Sequence, residues 1–250
     1  MPLIIVAAGW QQTQEPNTEP GMPPARQVLA RAAQAMGGME LIESIKSIHT
    51  QSHLSVILVT GQIDTEAKIN SWWMAPDKIK VHQISGTAST TYGSNGTTGW
   101  QTDGSDYEIL DKTTVDNLKT YGCLHALTIR LQDHFQIAAT TGAATIAGTD
   151  CYAISLSHPD SINDADSAFF STSTGLLKAL QMQHNPDGME STTVTYLFDD
   201  WKTEQGLKLF RKVTVQQDGT TLNVDFLRIS LNTVKPSQVS LPEKVQEKIQ

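Results

Sequence analysis

The stretch TYGSNGTTGWQTDG, Thr91 to Gly104, holds four glycines and one Asn-Gly pair. Runs of this kind either cradle phosphates or make tight turns in sheets, and the choice separates a nucleotide enzyme from a β-protein. A Walker loop needs GxxxxGK[ST] between a strand and a helix, with the Lys reaching the phosphates. No Lys or Arg occurs from Thr87 to Asp111. A dinucleotide fingerprint needs GxGxxG at the start of a helix, whereas Trp-Gln-Thr-Asp-Gly follows Gly99. Asn95-Gly96 is a strong hairpin signal, because a type I′ turn requires positive φ at both central positions. The stretch reads as a hairpin or a glycine-relaxed edge that delivers Trp100 to a sheet, and no nucleotide is expected to bind it.

Upstream of this hairpin the apolar residues recur every second position. His49 to Gln62 puts Leu54, Val56 and Leu58 on one face, and Thr65 to Met74 and Lys78 to Ile84 follow, separated by a turn at Ala75-Pro76-Asp77. Before them, Ala25 to Ile48 has helical spacing at Val28, Leu29, Ala32, Ala33 and Met36. Gly37-Gly38 ends that helix, and a second short one carries Leu41, Ile42 and Ile45. Downstream, Asp111 to Leu131 is helical again, with Val115, Leu118, Cys123 and Leu127 among polar residues.

Strands then resume to the end: Ala144–Ile146, Cys151–Ser157, Ala168–Ser171, Leu176–Gln183, Thr192–Phe198, Leu209–Gln217 and Leu222–Leu231. Turn chemistry separates them at Ala147-Gly148-Thr149, Ser173-Thr174-Gly175, Pro186-Asp187-Gly188 and Gln217-Asp218-Gly219. In the last strand Leu222, Val224 and Phe226 alternate, and then Leu227, Ile229 and Leu231 take the other phase. That switch predicts a bulge, or a strand apolar on both faces. Trp72 and Trp73 are adjacent, so one faces the core while the other sits at a rim, or one of them edges a ligand cavity.

Composition agrees with exposed sheet. Of 250 residues, 39% are apolar and only 18% charged, the balance being rich in Thr, Ser, Gln, Asn and Gly. A formal charge of −8, with no Lys or Arg run, excludes a nucleic-acid footprint and disfavours anionic lipid surfaces. No segment reaches the roughly 18 apolar residues of a membrane span. The start, MPLIIVAAGW, has a short apolar run ending in Val6-Ala7-Ala8. It reads as a truncated export signal, with a buried edge strand or an unstructured start as alternatives. Gln11 to Pro24 is a Pro-rich linker.

Catalytic and metal constellations do not assemble. His49 and His53 are four apart, about 13 Å along a strand, too far for one metal. The other histidines stand at 82, 125, 134, 158 and 184 with no HExxH among them. Asp160 to Asp166 offers oxygens but lacks the Gly and closing Glu of a calcium loop. Asp199 and Asp200 diverge as strand neighbours, and no GxSxG elbow occurs. Cys123 and Cys151 belong to no Cys/His cluster, so no zinc is expected. Export would permit them to pair; otherwise they are two buried thiols.

Several segments, in order, resemble the LolA-like, outer-membrane lipoprotein-sorting group. Asn95-Gly-Thr-Thr-Gly-Trp100 is similar to its "DGxxGW" turn, and AQAMGGMELIESIKSI (Ala33 to Ile48) to its opening helix. Further matches are Ala75 to Val81, Ile146 to Tyr152, Ser173 to Lys178, Phe198 to Trp201 with Gly206 to Phe210, Asn232, and Leu241-Pro242. The likeness covers Ala25 to Lys244; it departs at Asp200-Trp201 and Leu209-Phe210, and Tyr121 to Gln136 has no counterpart.

The resemblance implies an α+β fold: a strongly curved antiparallel sheet, an open half-barrel, with helices on its concave face. It implies one domain over 25–245, after an export signal and linker over 1–24 and before a tail over 246–250. It further implies a non-catalytic, cofactor-free, periplasmic or secreted protein whose partner is a lipid or acylated protein, without stable membrane insertion. An alternative is an interaction module whose sheet is filled by its own helix, partnering an envelope protease or secretion component. In the ligand reading, Leu54, Val56, Leu58, Ile69 and Trp73 are candidates to line the space between sheet and helices. Ile79, Val81, Trp100, Phe198 and Phe226 complete that set.

Overall fold

A computed structural model describes residues 21–135, 137–157, 166–184 and 192–249. Two helices open it, α1 (Ala25–Met36) and α2 (Met39–Ser44), broken at Gly37-Gly38 as the sequence predicts. Strands β1 (Ser47–Ile57), β2 (Ile63–Met74), β3 (Lys78–Ser85), β4 (Ala88–Ser94), β5 (Gly99–Thr102) and β6 (Tyr107–Ile109) then run as a meander. Next come α3 (Lys112–Tyr121), α4 (Leu124–Ile129) and α5 (Leu131–His134). Asp111 caps α3 by accepting from the Thr114 amide at 2.9 Å, satisfying one of the orphan donors of the first turn. A second meander follows: β7 (Ile137–Ile146), β8 (Thr149–Ser157), β9 (Asp166–Ser171), β10 (Leu177–His184) and β11 (Thr192–Asp199). A small hairpin of β12 (Lys202–Glu204) and β13 (Leu207–Leu209) precedes β14 (Lys212–Gln217) and β15 (Thr220–Leu231). A last helix, α6 (Glu243–Lys248), lies against β6.

Thirteen strands form one antiparallel sheet, ordered β6-β5-β4-β3-β2-β1-β15-β14-β11-β10-β9-β8-β7. The sheet is curved and its two edges do not meet. The topology explains the inserted helices. The chain leaves β6 at one edge and re-enters as β7 at the other, so α3–α5 must join the two edges, and their packing puts them on the concave face. They carry the residues such a crossing needs: in α4, His125, Ala126, Leu127, Thr128 and Ile129 are buried and Leu124 is half-buried, a helix covered on nearly every side.

The opening stretch is the β4–β5 hairpin, and its turn differs from the one its Asn-Gly pair predicts. Asn95 to Thr98 form a four-residue loop, and of the Asn-Gly pair only Gly96 has positive φ, at 104°. The Asn95 carboxamide oxygen accepts from the Thr97 and Thr98 amides at 3.0 and 2.8 Å. Asn95 serves as the side-chain organiser of the loop, which relieves it of the left-handed conformation a two-residue turn would impose.

The phase switch in the last strand resolves as a bulge. Gln51 faces Arg228 and Ser52 faces Phe226, so Leu227 is the extra residue, 71% exposed. Leu222, Val224, Phe226, Ile229 and Leu231 therefore share the concave face despite their broken alternation. The predicted strand Leu209–Gln217 is in fact interrupted at Phe210-Arg211, because β13 pairs with β12 while β14 joins the main sheet. The predicted strand at Ala144–Ile146 is the end of the longer β7. The export-signal reading, most of the linker, the Pro186-Asp187-Gly188 turn and most of the Asp160–Asp166 loop lie outside the described residues.

Candidate functional site

The concave face can be read from the register, because directly opposed residues in antiparallel strands share a face. One row runs Leu231, Ile48, Trp73, Ile79 across β15, β1, β2 and β3. The next rows hold Ile229, Thr50, Ser71, Val81, and then Phe226, Ser52, Ile69. Phe198, Val213, Val224, Leu54 and Ala67 form another row, and Tyr196, Val215, Leu222, Val56 and Thr65 the last.

Of the residues expected to line the space, Leu54, Val56, Ile69, Trp73, Ile79, Val81, Phe198 and Phe226 lie on this face. Trp73, Ile79 and Phe198 are fully buried under the helices, and Val81 and Phe226 are packed against the core beside them. Leu54, Val56 and Ile69 are half-buried and join none of the core clusters. Leu58 lies past the end of β1, in the turn to β2, 39% exposed. The register sets Trp100 on the opposite face, in the row of Trp72, Lys80 and Gly93. It is only 4% exposed there, lying across Gly93 and against the Tyr107 ring at 5.5 Å. Trp72 is also on that convex face, stacked on His49 with ring centroids 5.0 Å apart and Lys80 above it.

The space between sheet and helices thus has a filled part and a half-buried part. In the filled part, Leu127 from α4 meets Ile154, Leu180 and Phe198 of the sheet in one cluster, while Ala126 and Ile129 meet Trp73 and Ile79 in another. His125 stands between the two. Its ring stacks on Phe210 with centroids 4.0 Å apart and meets Phe226 edge-on at 4.5 Å. Its Nε2–H donates to the Phe210 carbonyl at 3.0 Å, which leaves Nδ1 buried with no hydrogen-bond partner among the described residues. Burial holds the imidazole neutral and pushes its pKa down to about 4, with the nearby Arg211 charge adding to the effect. Arg211 in turn pairs with Glu204 and donates to the Phe226 carbonyl at 3.2 Å.

A cavity of about 150 Å³ remains between the helices, lined by Leu29, Ala32, Met36 and Ile42 from one pair and Ile129 and Leu131 from the other. Phe170 forms its floor, and Glu43, Arg130 and Asp133 ring it with charge. At the far end of the trough Leu54, Val56 and Leu222 form a half-buried apolar strip that joins none of the core clusters, beside Val215 and Val224, which pack against the core.

The helical segment expected over Asp111 to Leu131 and the helices expected on the concave face are borne out; the near-complete burial of α4 around His125 was not foreseen. Its signal is the stretch Leu124 to Ile129, which holds four apolar residues with His125 and Thr128 between them and no charge. Among the described residues, no three His, Cys, Asp or Glu side chains could hold a metal ion. His53 lies 3.8 Å from Glu66 and apart from His49. Cys123 and Cys151 are both free and buried. No described helix is long and apolar enough to cross a membrane.

Solved structures share this architecture. A LolA superfamily protein, NE2245 from Nitrosomonas europaea, superposes with a TM-score of 0.62 over 88% of this chain and 99% of that one, at 10% identity. The fold is LolA-like. A domain described as an outer membrane lipoprotein-sorting protein, from Vibrio parahaemolyticus, gives 0.57 over 86% and 97%, at 9% identity. A DUF1329 family protein from Desulfovibrio piger gives 0.55 over 88% and 100%, at 10% identity. No family model and no curated protein matches the chain. At such identities the likeness is one of fold.

Proposed function

We propose that this protein is an exported, non-catalytic carrier that binds a lipid or a lipoprotein acyl chain in the periplasm or outside the cell. Residues 25–245 act as one LolA-like domain. The observation that carries the reading is the half-buried apolar strip of Leu54, Val56 and Leu222 on the concave face, which meets the core at Val224. Such a strip keeps part of its apolar surface in water at a cost, and an acyl chain laid along it recovers about 0.8 kcal/mol per buried methylene before ordering costs. The likeness to a lipoprotein-sorting domain supports the same class of cargo.

The filled interior favours a second reading. A cavity of about 150 Å³ matches a molecule the size of benzene, well below the roughly 300 Å³ of an ordinary ligand pocket. A sheet so plugged by α4 could serve as an interaction module for an envelope protease or secretion component.

Binding of a fluorescent fatty acid separates the two. Val56→Glu places a carboxylate where the chain must desolvate it, at several kcal/mol, and should abolish binding once circular dichroism shows the fold intact. Val56→Met keeps the strip apolar and should bind nearly as wild type does. If folded wild-type protein neither binds the probe nor yields lipid on solvent extraction, the carrier reading fails and the interaction module replaces it.

A further inference from the structure

The end of the β1–β2 hairpin is apolar on both faces. Val56, Ile57, Leu58 and Val59 follow one another, and Ile63 faces Ile57 across the hairpin. Period-two alternation sends consecutive residues to opposite sides, so four in a row cannot all serve a core on one side. Asp64 is an extra residue between the Val56–Thr65 and Ile57–Ile63 pairs, a bulge that increases the local twist. Val59 is 82% exposed, Ile63 60% and Leu58 39%. None of them joins a core cluster. The neighbouring β14–β15 turn, at Asp218-Gly219, approaches Val59 but leaves it open.

A concentration of bare aliphatic side chains at one hairpin end marks a contact with an apolar partner. A protein partner covers one side of a strand. A hairpin end with bare aliphatic side chains on both faces, around the short uncharged turn Thr60-Gly61-Gln62, fits immersion in the surface of a fluid apolar phase. The charges nearest in sequence are Asp64 and Glu66, with no Lys or Arg between Lys46 and Lys68, and Asp218 stands in the neighbouring turn. Those carboxylates oppose an anionic surface, where the local potential repels them.

We propose that Leu58, Val59 and Ile63 form a tip that dips into the surface of an electrically neutral, zwitterionic bilayer. This rests on the carrier reading in one respect: Val56 belongs both to the tip's strand and to the half-buried strip, so the tip sits at the mouth of the trough. A chain leaving the bilayer would enter the strip there without crossing water. The contact is peripheral and reversible, since three aliphatic side chains fall far short of a span.

The test uses the full chain in density-gradient flotation with phosphatidylcholine vesicles, beside Val59→Asp/Ile63→Asp. Both positions are exposed, so the double variant should keep the wild-type melting temperature. Wild type is expected to float with the vesicles, and the variant to lose at least tenfold of the floated fraction while still binding the soluble fatty acid probe. Adding phosphatidylglycerol should reduce flotation. The proposal is overturned if wild type does not float, if the double variant floats equally, or if phosphatidylglycerol strengthens recovery. Loss of probe binding by wild type would instead strike the carrier reading, which separates the two failures.

Discussion

His125→Phe tests how the plug in the trough is held. The imidazole is fully buried, its Nδ1 has no partner among the described residues, and its pKa falls to about 4. Unfolded, the same group titrates near 6.5. The unfolded chain therefore binds a proton that the folded chain refuses as pH drops through this window. Stability is full above about 6.5, declines as pH falls toward 4, and levels off below. Between pH 7 and 4.5 the group should remove roughly 2–3 kcal/mol. Phenylalanine keeps the stack on Phe210 but loses the Nε2–H donated to its carbonyl, at a cost of about 1 kcal/mol at pH 7. Urea unfolding at a series of pH values reads both effects. The variant should be slightly weaker at pH 7 and as strong as wild type or stronger at pH 4.5. His49 is shifted the same way, mainly by burial, but is present in both proteins and cancels. Parallel stability curves for the two proteins from pH 7 to 4.5 would refute the argument that His125 is held neutral.

Two more outcomes follow from packing. A Cβ at Gly93 would fall into the Trp100 ring, so Gly93→Ala should cost about 1–3 kcal/mol and shift tryptophan emission to the red; an unchanged urea midpoint would count against that packing. Burial raises the pKa of both thiols, that of Cys123 to about 11, so Ellman's reagent should find no thiol in the native protein and two after unreduced denaturation.

The likeness in motif order matters less than the reason it could be read. Asn95-Gly96 with no cation near it, Gly37-Gly38 after a helical run, and alternation at Leu54, Val56 and Leu58 are local facts. Local chemistry fixes local conformation: a turn residue, a helix stop and a pleat each depend on side chains a few positions apart. These residues therefore determined the helices, nearly all the long strands and the shared face of Leu54 and Val56. They also placed the phase switch at Leu227, although the choice between a bulge and a two-faced strand needed the register against β1.

What only the tertiary structure decided depends on contacts distant in the chain. Pairing of β1 with β15 closes two meanders into one sheet, and that pairing obliges α3–α5 to join its two edges. Nothing within the Leu124–Ile129 run states which surfaces will cover it, because burial on nearly every side is a property of the assembled layers. Trp100 illustrates the same limit. Its neighbours promise an indole delivered to a sheet, but its face follows from the hairpin's length: a loop of four residues, organised by the Asn95 side chain, sets Gly93 opposite Trp100 and turns the ring away from the helices. A one-residue slip in that loop would have reversed the outcome, since each step along a strand exchanges the two faces.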